Sequence, residues 1–338
     1  MTNLRARPTL RVLDEDLNVD GRFSSLVEQL RCNPSASQSI CDIDHPIIRK
    51  AGQCFGDDPT CDMKTGIVKG ATRYTVYKLR ESQWRGGVWK DAEGVNWLII
   101  AGLAKGEHED YNDIYKKIAR AHKNEKTADL LKPRDEDYAI LKAENVVRRL
   151  HKWKLTVQEA TKNCVEESMS CSTASFDIVF PPELATTRVE SERILSKVTI
   201  QFEADDSGIF ELEVLFEPNL KWRNSGIFEV LKIQVLNSIL PPLHRWDLIN
   251  DCRFFTLDEE KVWQERLQAL KTAVEKKVLQ PTVKDPNSHY LHKADIVESS
   301  INGTAQRALC GVYVVSTRNA DAIEPCPECQ RIYNQLPV

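Results

Sequence analysis

The chain has 338 residues, 41% of them apolar and 28% charged, with 14 Gly and 15 Pro. That composition buries a sizeable core and excludes collagen-like, low-complexity and wholly disordered chains. The length predicts more than one domain, at roughly 100 to 200 residues each. The formal charge of −4 comes from 46 basic and 50 acidic residues, so the chain as a whole is no polycation made for nucleic acid. The balance is uneven, because Lys69 to Lys132 holds 13 Lys/Arg against 9 Asp/Glu and the remainder holds 33 against 41. A basic segment inside an acidic chain keeps a local anionic partner open. The longest apolar run, Trp97 to Ala104 (WLIIAGLA), is far shorter than the roughly 20 residues that cross a bilayer, and the N-terminal residues contain no export signal. A soluble, cytoplasmic protein without a membrane partner is the expectation. In such a protein ten cysteines are reduced thiols or metal ligands rather than disulfides.

In chain order, residues 1–65 read as a cysteine-containing lobe with a short helix at Phe23 to Leu30 and a second at DHPIIRK. From Thr72 the pattern alternates: Tyr74, Val76 and Lys78 fall on one face and Thr75, Tyr77 and Leu79 on the other. WRGGVW and VNWLIIAGL follow, which predicts three antiparallel strands with a bulge or tight bend at Gly86-Gly87 and a hairpin turn at Asp91 to Gly94. Tyr111, Ile114, Tyr115, Ile118 and Ala121 or His122 recur at helical spacing, giving one buried stripe. These elements form a basic sheet domain, 66–132, closed by a connector of charges and a proline. An α+β domain is expected at 133–283. It opens on a helix with Ile140, Val147 and Leu150 on one face. Next come two strands pairing Val198, Ile200 and Phe202 with Phe210, Leu212, Val214 and Phe216, with acidic outward positions Glu203, Glu211, Glu213 and Glu217. A helix burying Ile227, Leu231, Val235 and Ile239 ends at Pro241-Pro242. A last helix opens with the capping-box spacing Thr256 to Glu259 and buries Trp263, Leu267, Leu270, Val274 and Val278. The fold class is therefore α+β and multidomain, with a small terminal module at 284–338.

The strongest chemical signal lies in that module. His289, Cys310, Cys326 and Cys329 offer one imidazole and three thiols, two of them in a CPEC knuckle, and a structural zinc site needs four such donors in a tetrahedron. On spacing alone His292 could replace His289. Residues 288–336 (SHYLHKADIVESSINGTAQRALCGVYVV…EPCPECQRIYNQL) resemble a family of small bacterial proteins of unknown function. The likeness is carried by HY, ES, Gly303, ALCG, CPxC and the following IY. This resemblance favours His289 and implies a zinc-ribbon-like fold without an established activity. The chain departs from the family at STRNADA, where a Pro and RDP are usual. A second group, Cys32, Cys41, His45, Cys54 and Cys61, holds enough donors for another metal but no knuckle, so buried thiols are the plainer expectation.

In the basic sheet, Arg80, Arg85, Lys105 and Tyr111 are the candidate catalytic residues. Ribonucleases that use the substrate's own 2′-hydroxyl need a base or polariser for it, cations for the charge developing on the phosphate, and an acid for the leaving oxygen. YTVYKLRESQWRGGVW…GVNWLIIAGLAKGEHEDYNDIYKKIARA resembles the RelE/HigB-type toxins over about 50 residues. Arg80 falls at the arginine of their LR pair, Arg85 at the second arginine and Lys105 at the lysine after the last core strand. The resemblance implies an antiparallel sheet flanked by helices and metal-independent cleavage of mRNA, often on the ribosome. GLAKGEHEDY departs from the doubled lysine of those toxins and adds three acids. Other templates fail. His108-Glu109 is not HExxH, no GxxxxGK[ST] or GxSxG occurs, and Glu211-x-Glu213 lacks the lysine of a restriction-type motif. The sequence thus predicts a toxin-like or phage-defence protein with an RNA-directed domain and a zinc ribbon. The alternative from another class is a non-catalytic adaptor that binds a partner protein through the ribbon and the acidic sheet.

Overall fold

The structure is a computed structural model that describes residues 4–18, 20–34, 40–63, 65–104, 113–181, 193–204, 209–241, 243–283, 287–293, 296, 305–315 and 323–336. It is a mixed α and β protein that divides into two compact units, Met1–Arg148 and Arg149–Val338. The sequence placed boundaries near residues 65, 132 and 283 instead. Across the first of these positions, the N-terminal segment supplies a strand and two helices to the sheet that follows it. A helix of 37 residues, Asp135–Cys171, runs through the division.

In the first unit, strand β1 (Arg7–Pro8) lies parallel to β4 (Asn96–Leu103). The order β1-β4-β3-β2 is completed by antiparallel β3 (Trp84–Lys90) and β2 (Tyr77–Glu81). One face carries helices α1 (Ser24–Cys32) and α2 (Pro46–Cys54), and the core there joins Val27, Leu30, Ile47 and Ile48 to Leu79, Val88 and Leu98. The other face carries α3 (Ile114–Ala121), whose Ile114 and Ile118 pack with Val76, Trp97 and Ile100. Strand β4 is covered on both sides, which is why WLIIA reads as an unbroken apolar run rather than an alternation. Gly86 and Gly87 let both layers close on β3. A Cβ at Gly86 would stand 2.9 Å from Leu98 Cδ1 and 3.2 Å from Ile47 Cγ1, and one at Gly87 would stand 2.8 Å from Val76 Cγ1 and 3.0 Å from Ile118 Cδ1. The expected irregularity is there, as a register shift between Gly87 and Val88. The Asp91 to Gly94 turn is also formed: the Asp91 carboxylate accepts from the backbone N–H of Glu93 and Val95, and from Trp97 Nε1 at 2.9 Å. Part of the connector is helical as α4 (Glu125–Asp129).

Buried polar contacts tie the N-terminal segment to α5 (Asp135–Cys171). Arg7 is fully buried, forms an ion pair with Glu144 at 2.8 Å and lies over the Trp97 ring. Glu144 also accepts from Ile40 N–H at 3.0 Å. Asp137 accepts from the N–H of Leu10 at 2.6 Å and of Arg134 at 2.8 Å, and burial pushes its carboxyl above the ordinary range.

In the second unit, β5 (Thr173–Val179), β6 (Ile194–Ala204), β7 (Ile209–Pro218), β8 (Asp247–Asn250) and β9 (Arg253–Glu259) form an antiparallel sheet in the order β5-β6-β7-β9-β8. Val198 faces Phe216, Ile200 faces Val214 and Phe202 faces Leu212, as the alternation predicts. Residues 153–165 of α5, α6 (Gly226–Ile239) and α7 (Glu260–Glu275) contribute to the core on this inner face. Three expectations are corrected. Thr256 to Glu259 is strand and not a capping box, because Leu212 to Ile209 of β7 take these residues as ladder partners. The inward stripe of α7 ends on Ala273, with Val278 exposed beyond it. Val147 is exposed on α5, since Ile140 and Leu141 take the buried side there.

Two substitutions test these packings. Glu144→Ala leaves the Arg7 guanidinium buried without its carboxylate and should cost about 3–5 kcal/mol, whereas Arg7→Met with Glu144→Leu should recover most of it. Denaturant titration followed by tryptophan emission measures both. Gly87→Ala should cost about 1–3 kcal/mol by overpacking. Gly66→Ala, where nothing lies within 4 Å of the added Cβ, is the neutral control.

Candidate functional site

The terminal module has little apolar core. Ala308, Val314 and Cys329 are buried, with Tyr290, Leu291 and Val312 packed partly against them. Its backbone instead converges on His289 from two directions. Ser288 N–H donates to Glu324 C=O at 2.9 Å, and Cys326 N–H donates to Ser288 C=O at 2.8 Å, which fixes the residue before His289 to the knuckle. Leu309 N–H donates to Tyr290 C=O at 2.8 Å, which fixes the residue after it to the turn that carries Cys310. That turn joins β10 (Ala305–Arg307) to β11 (Tyr313–Val315) and closes through Gly311 N–H to Ala308 C=O at 2.8 Å. Gly311 takes φ +95°, a left-handed value that a side chain would strain. Cys326 is the N-cap of α8 (Pro327–Tyr333), with Pro327 at the first helical position and Cys329 fully buried in the first turn.

These constraints bring four donors together. The ligand atoms of His289, Cys310, Cys326 and Cys329 all lie within 4.8 Å of one another, with Cys310 Sγ 3.3 Å and Cys329 Sγ 3.6 Å from His289 Nδ1. Edges of about 3.5 Å are what a tetrahedron with metal–ligand distances of about 2.0–2.3 Å requires. Burial, with the neighbouring sulfurs of Cys329 and Cys326 acting the same way, pushes the Cys310 thiol up to about 12. A cation bound beside it reverses the local field and favours its thiolate. The group can therefore hold a metal ion, and it contains His289 rather than His292.

In the basic sheet, Arg80 and Arg85 are direct partners across β2 and β3, and Lys78 lies two residues along the same face. Tyr115 of α3 stands beside them. Lys78 Nζ is 5.3 Å and Arg80 Cζ 5.8 Å from its ring centroid, and its hydroxyl donates to Leu79 C=O at 2.8 Å. Arg85 donates to the C=O of Ser82 and Trp84. Among the described residues none of the three cations has a carboxylate within ion-pair distance, because Glu81 on the opposite face turns to Lys50. Burial pushes the Tyr115 phenol above its ordinary value against the opposing Arg80 and Arg85, so it remains a neutral donor rather than a base. Lys105 and Tyr111 lie outside the described residues. Lys78 and Tyr115 were missed as site residues, although both were in view as members of a strand face and a helical stripe.

The N-terminal cysteines do not gather. Cys41 and Cys54 are buried while Cys32 and Cys61 are exposed. His45 caps α2, its Nδ1 accepting from Ile47 N–H at 3.4 Å, and packs edge-on against Trp84. Among the described residues the terminal group is the one arrangement of His, Cys and carboxylates fit for a metal. No described helix is long and apolar enough to cross a membrane.

No curated protein and no solved structure matches the chain. The likeness of residues 72–123 to RelE/HigB-type toxins gains no support from the matches. Residues 283–336, which contain all four clustered donors, match the family described as protein of unknown function DUF3039.

Proposed function

We propose that this is a toxin-like, RNA-directed protein: the basic sheet holds the phosphates of single-stranded RNA, and the terminal module is a zinc ribbon held together by its metal. The observation that carries the RNA reading is the cluster of Lys78, Arg80 and Arg85 around Tyr115 on one sheet face, with no carboxylate within ion-pair distance among the described residues. Cations gathered beside an aromatic ring fit a ligand that brings both phosphate and base. A sheet flanked by helices is also what the toxin resemblance implies. In cleavage through the 2′-hydroxyl, Arg80 and Arg85 would stabilise the charge developing on the phosphate. Tyr115 holds Arg80 and Lys78 in place and offers a stacking surface, but its hydroxyl is engaged with Leu79 and takes no proton-transfer step. The zinc reading rests on the donor set, since three thiols and an imidazole suit a soft, tetrahedral, redox-inert ion. Four protein ligands leave no open coordination position, which makes the metal structural.

Purified protein should carry about one zinc per chain by elemental analysis, and Cys326→Ser with Cys329→Ser should abolish it. Zinc retained in that double variant would place the ion elsewhere. Binding of single-stranded RNA should weaken with salt at a log-log slope of roughly −2, from three phosphate contacts at about −0.7 each. Replacing Lys78, Arg80 and Arg85 with Ala should flatten that slope towards zero. Induced expression should arrest growth of a heterologous bacterial host, and Arg80→Ala with Arg85→Ala should relieve the arrest. Absence of RNA binding at about 50 mM salt would remove this reading and leave the adaptor in its place.

A further inference from the structure

The five-stranded sheet of the second unit has the described helices of its core on one face, and the outward face shows a distinctive pattern. Cross-strand register sets its rows. Glu203 lies opposite Glu211, which lies opposite Leu257, and in the next row Ile209 lies opposite Glu259. On the other side of this patch Asp247 lies opposite Phe255. Two carboxylates as direct cross-strand neighbours repel each other. Among the described residues none of Glu203, Glu211, Asp247 or Glu259 has a cation within ion-pair distance. Arg253 is engaged chiefly by Glu213, through two hydrogen bonds of 2.6 and 2.7 Å, and reaches Glu211 only by a weaker, longer-range attraction. Aliphatic side chains stand exposed in the same rows: Leu257 is 51% and Ile209 40% exposed.

The solvated face of an antiparallel sheet is ordinarily polar. Exposed aliphatics among carboxylates that have no described cation at ion-pair distance complement a surface that brings both cations and apolar groups. Nucleic acid is repelled by the same charges. We propose that this face docks a basic amphipathic segment of a partner protein, with Lys or Arg side chains meeting Glu203 and Glu211, and Leu-like side chains meeting Leu257 and Ile209. Charge steering of this kind acts mostly on association and partner choice, and the apolar contacts supply persistence.

The test uses the full chain and a fluorescent amphipathic peptide of Leu and Lys, compared with an oligolysine and with a Leu/Glu peptide of equal length, by anisotropy at about 50 and about 300 mM salt. The Leu/Lys peptide should bind, the oligolysine at least about tenfold more weakly, and the Leu/Glu peptide not at all. Glu203→Lys with Glu211→Lys should weaken the Leu/Lys peptide by about tenfold or more, and Leu257→Ser severalfold, with unchanged circular dichroism. Hydrogen exchange should show protection at β7 and β9 in the complex. Equal affinity of the charge-reversed variant and the native chain, equal binding of oligolysine and the Leu/Lys peptide, or protection confined to other elements would overturn the proposal. The milder Glu203→Gln with Glu211→Gln keeps the test decisive if the reversed variant fails to fold, since it must also weaken binding.

Discussion

His289 is the point on which the terminal module depends, and it is held less by its own contacts than by those of its neighbours. Ser288 is hydrogen-bonded to the segment that ends in Cys326, and Tyr290 to the turn that carries Cys310. Two distant pieces of chain are thereby aimed at one imidazole. Burying Val314 returns only about 2 kcal/mol, and ordering a single residue costs about 1–2 kcal/mol. A metal bound by four donors supplies an apparent 10–16 kcal/mol, roughly, which is the scale such a module needs. The backbone ladder and a metal held by these four donors would therefore be complementary: the first sets the geometry and the second would supply the free energy that keeps it.

The N-terminal unit meets the opposite situation, with ample apolar surface and the difficulty of bringing two helical layers onto one sheet. Glycines in β3 allow the close approach of Ile47 from one side and Ile118 from the other. The same closeness leaves Arg7 in a dry environment, where it is tolerated because Glu144 and the face of Trp97 receive it. On the α3 face the packing stops short of the β2–β3 hairpin end, and there Lys78, Arg80 and Arg85 emerge around Tyr115. The cations stand where the apolar contact runs out, on a rigid sheet rather than on a loop.

Local chemistry was legible in the sequence, and non-local pairing was not. The CPEC knuckle, the Gly86-Gly87 irregularity, the Asp91 to Gly94 turn and the ladder of Val198, Ile200 and Phe202 are all written in neighbouring residues, and the fold contains each of them. Strand β1 is two residues long and joins the sheet through β4, some 90 positions away, which no periodicity reveals. RFFTLDE combined alternation with a cap-like spacing. The cap reading lost because β7 offered Thr256 a ladder partner and a buried position, which outweigh a terminal hydrogen bond. Tyr115 was visible as a core residue of a helical stripe and only later as the companion of Arg80, because which end of a stripe meets a charged strand is decided by tertiary packing.

The charge asymmetry of the sequence also acquires a location. The excess of Lys and Arg between residues 69 and 132 contributes Lys78, Arg80 and Arg85 to one face of the four-stranded sheet, and the acidic remainder contributes Glu203, Glu211, Asp247 and Glu259 to the outward face of the five-stranded sheet. Each group contains one directly opposed pair of like charges, Arg80 with Arg85 and Glu203 with Glu211, an arrangement that disfavours the isolated fold by roughly 0.2–1 kcal/mol per opposed pair. Elsewhere the chain neutralises its charges readily, as in Arg7 with Glu144 and Arg253 with Glu213. Like charges opposed across strands, Arg80 with Arg85 on one sheet and Glu203 with Glu211 on the other, are the shared physical basis of the two proposals that each face takes its counter-charge from another molecule.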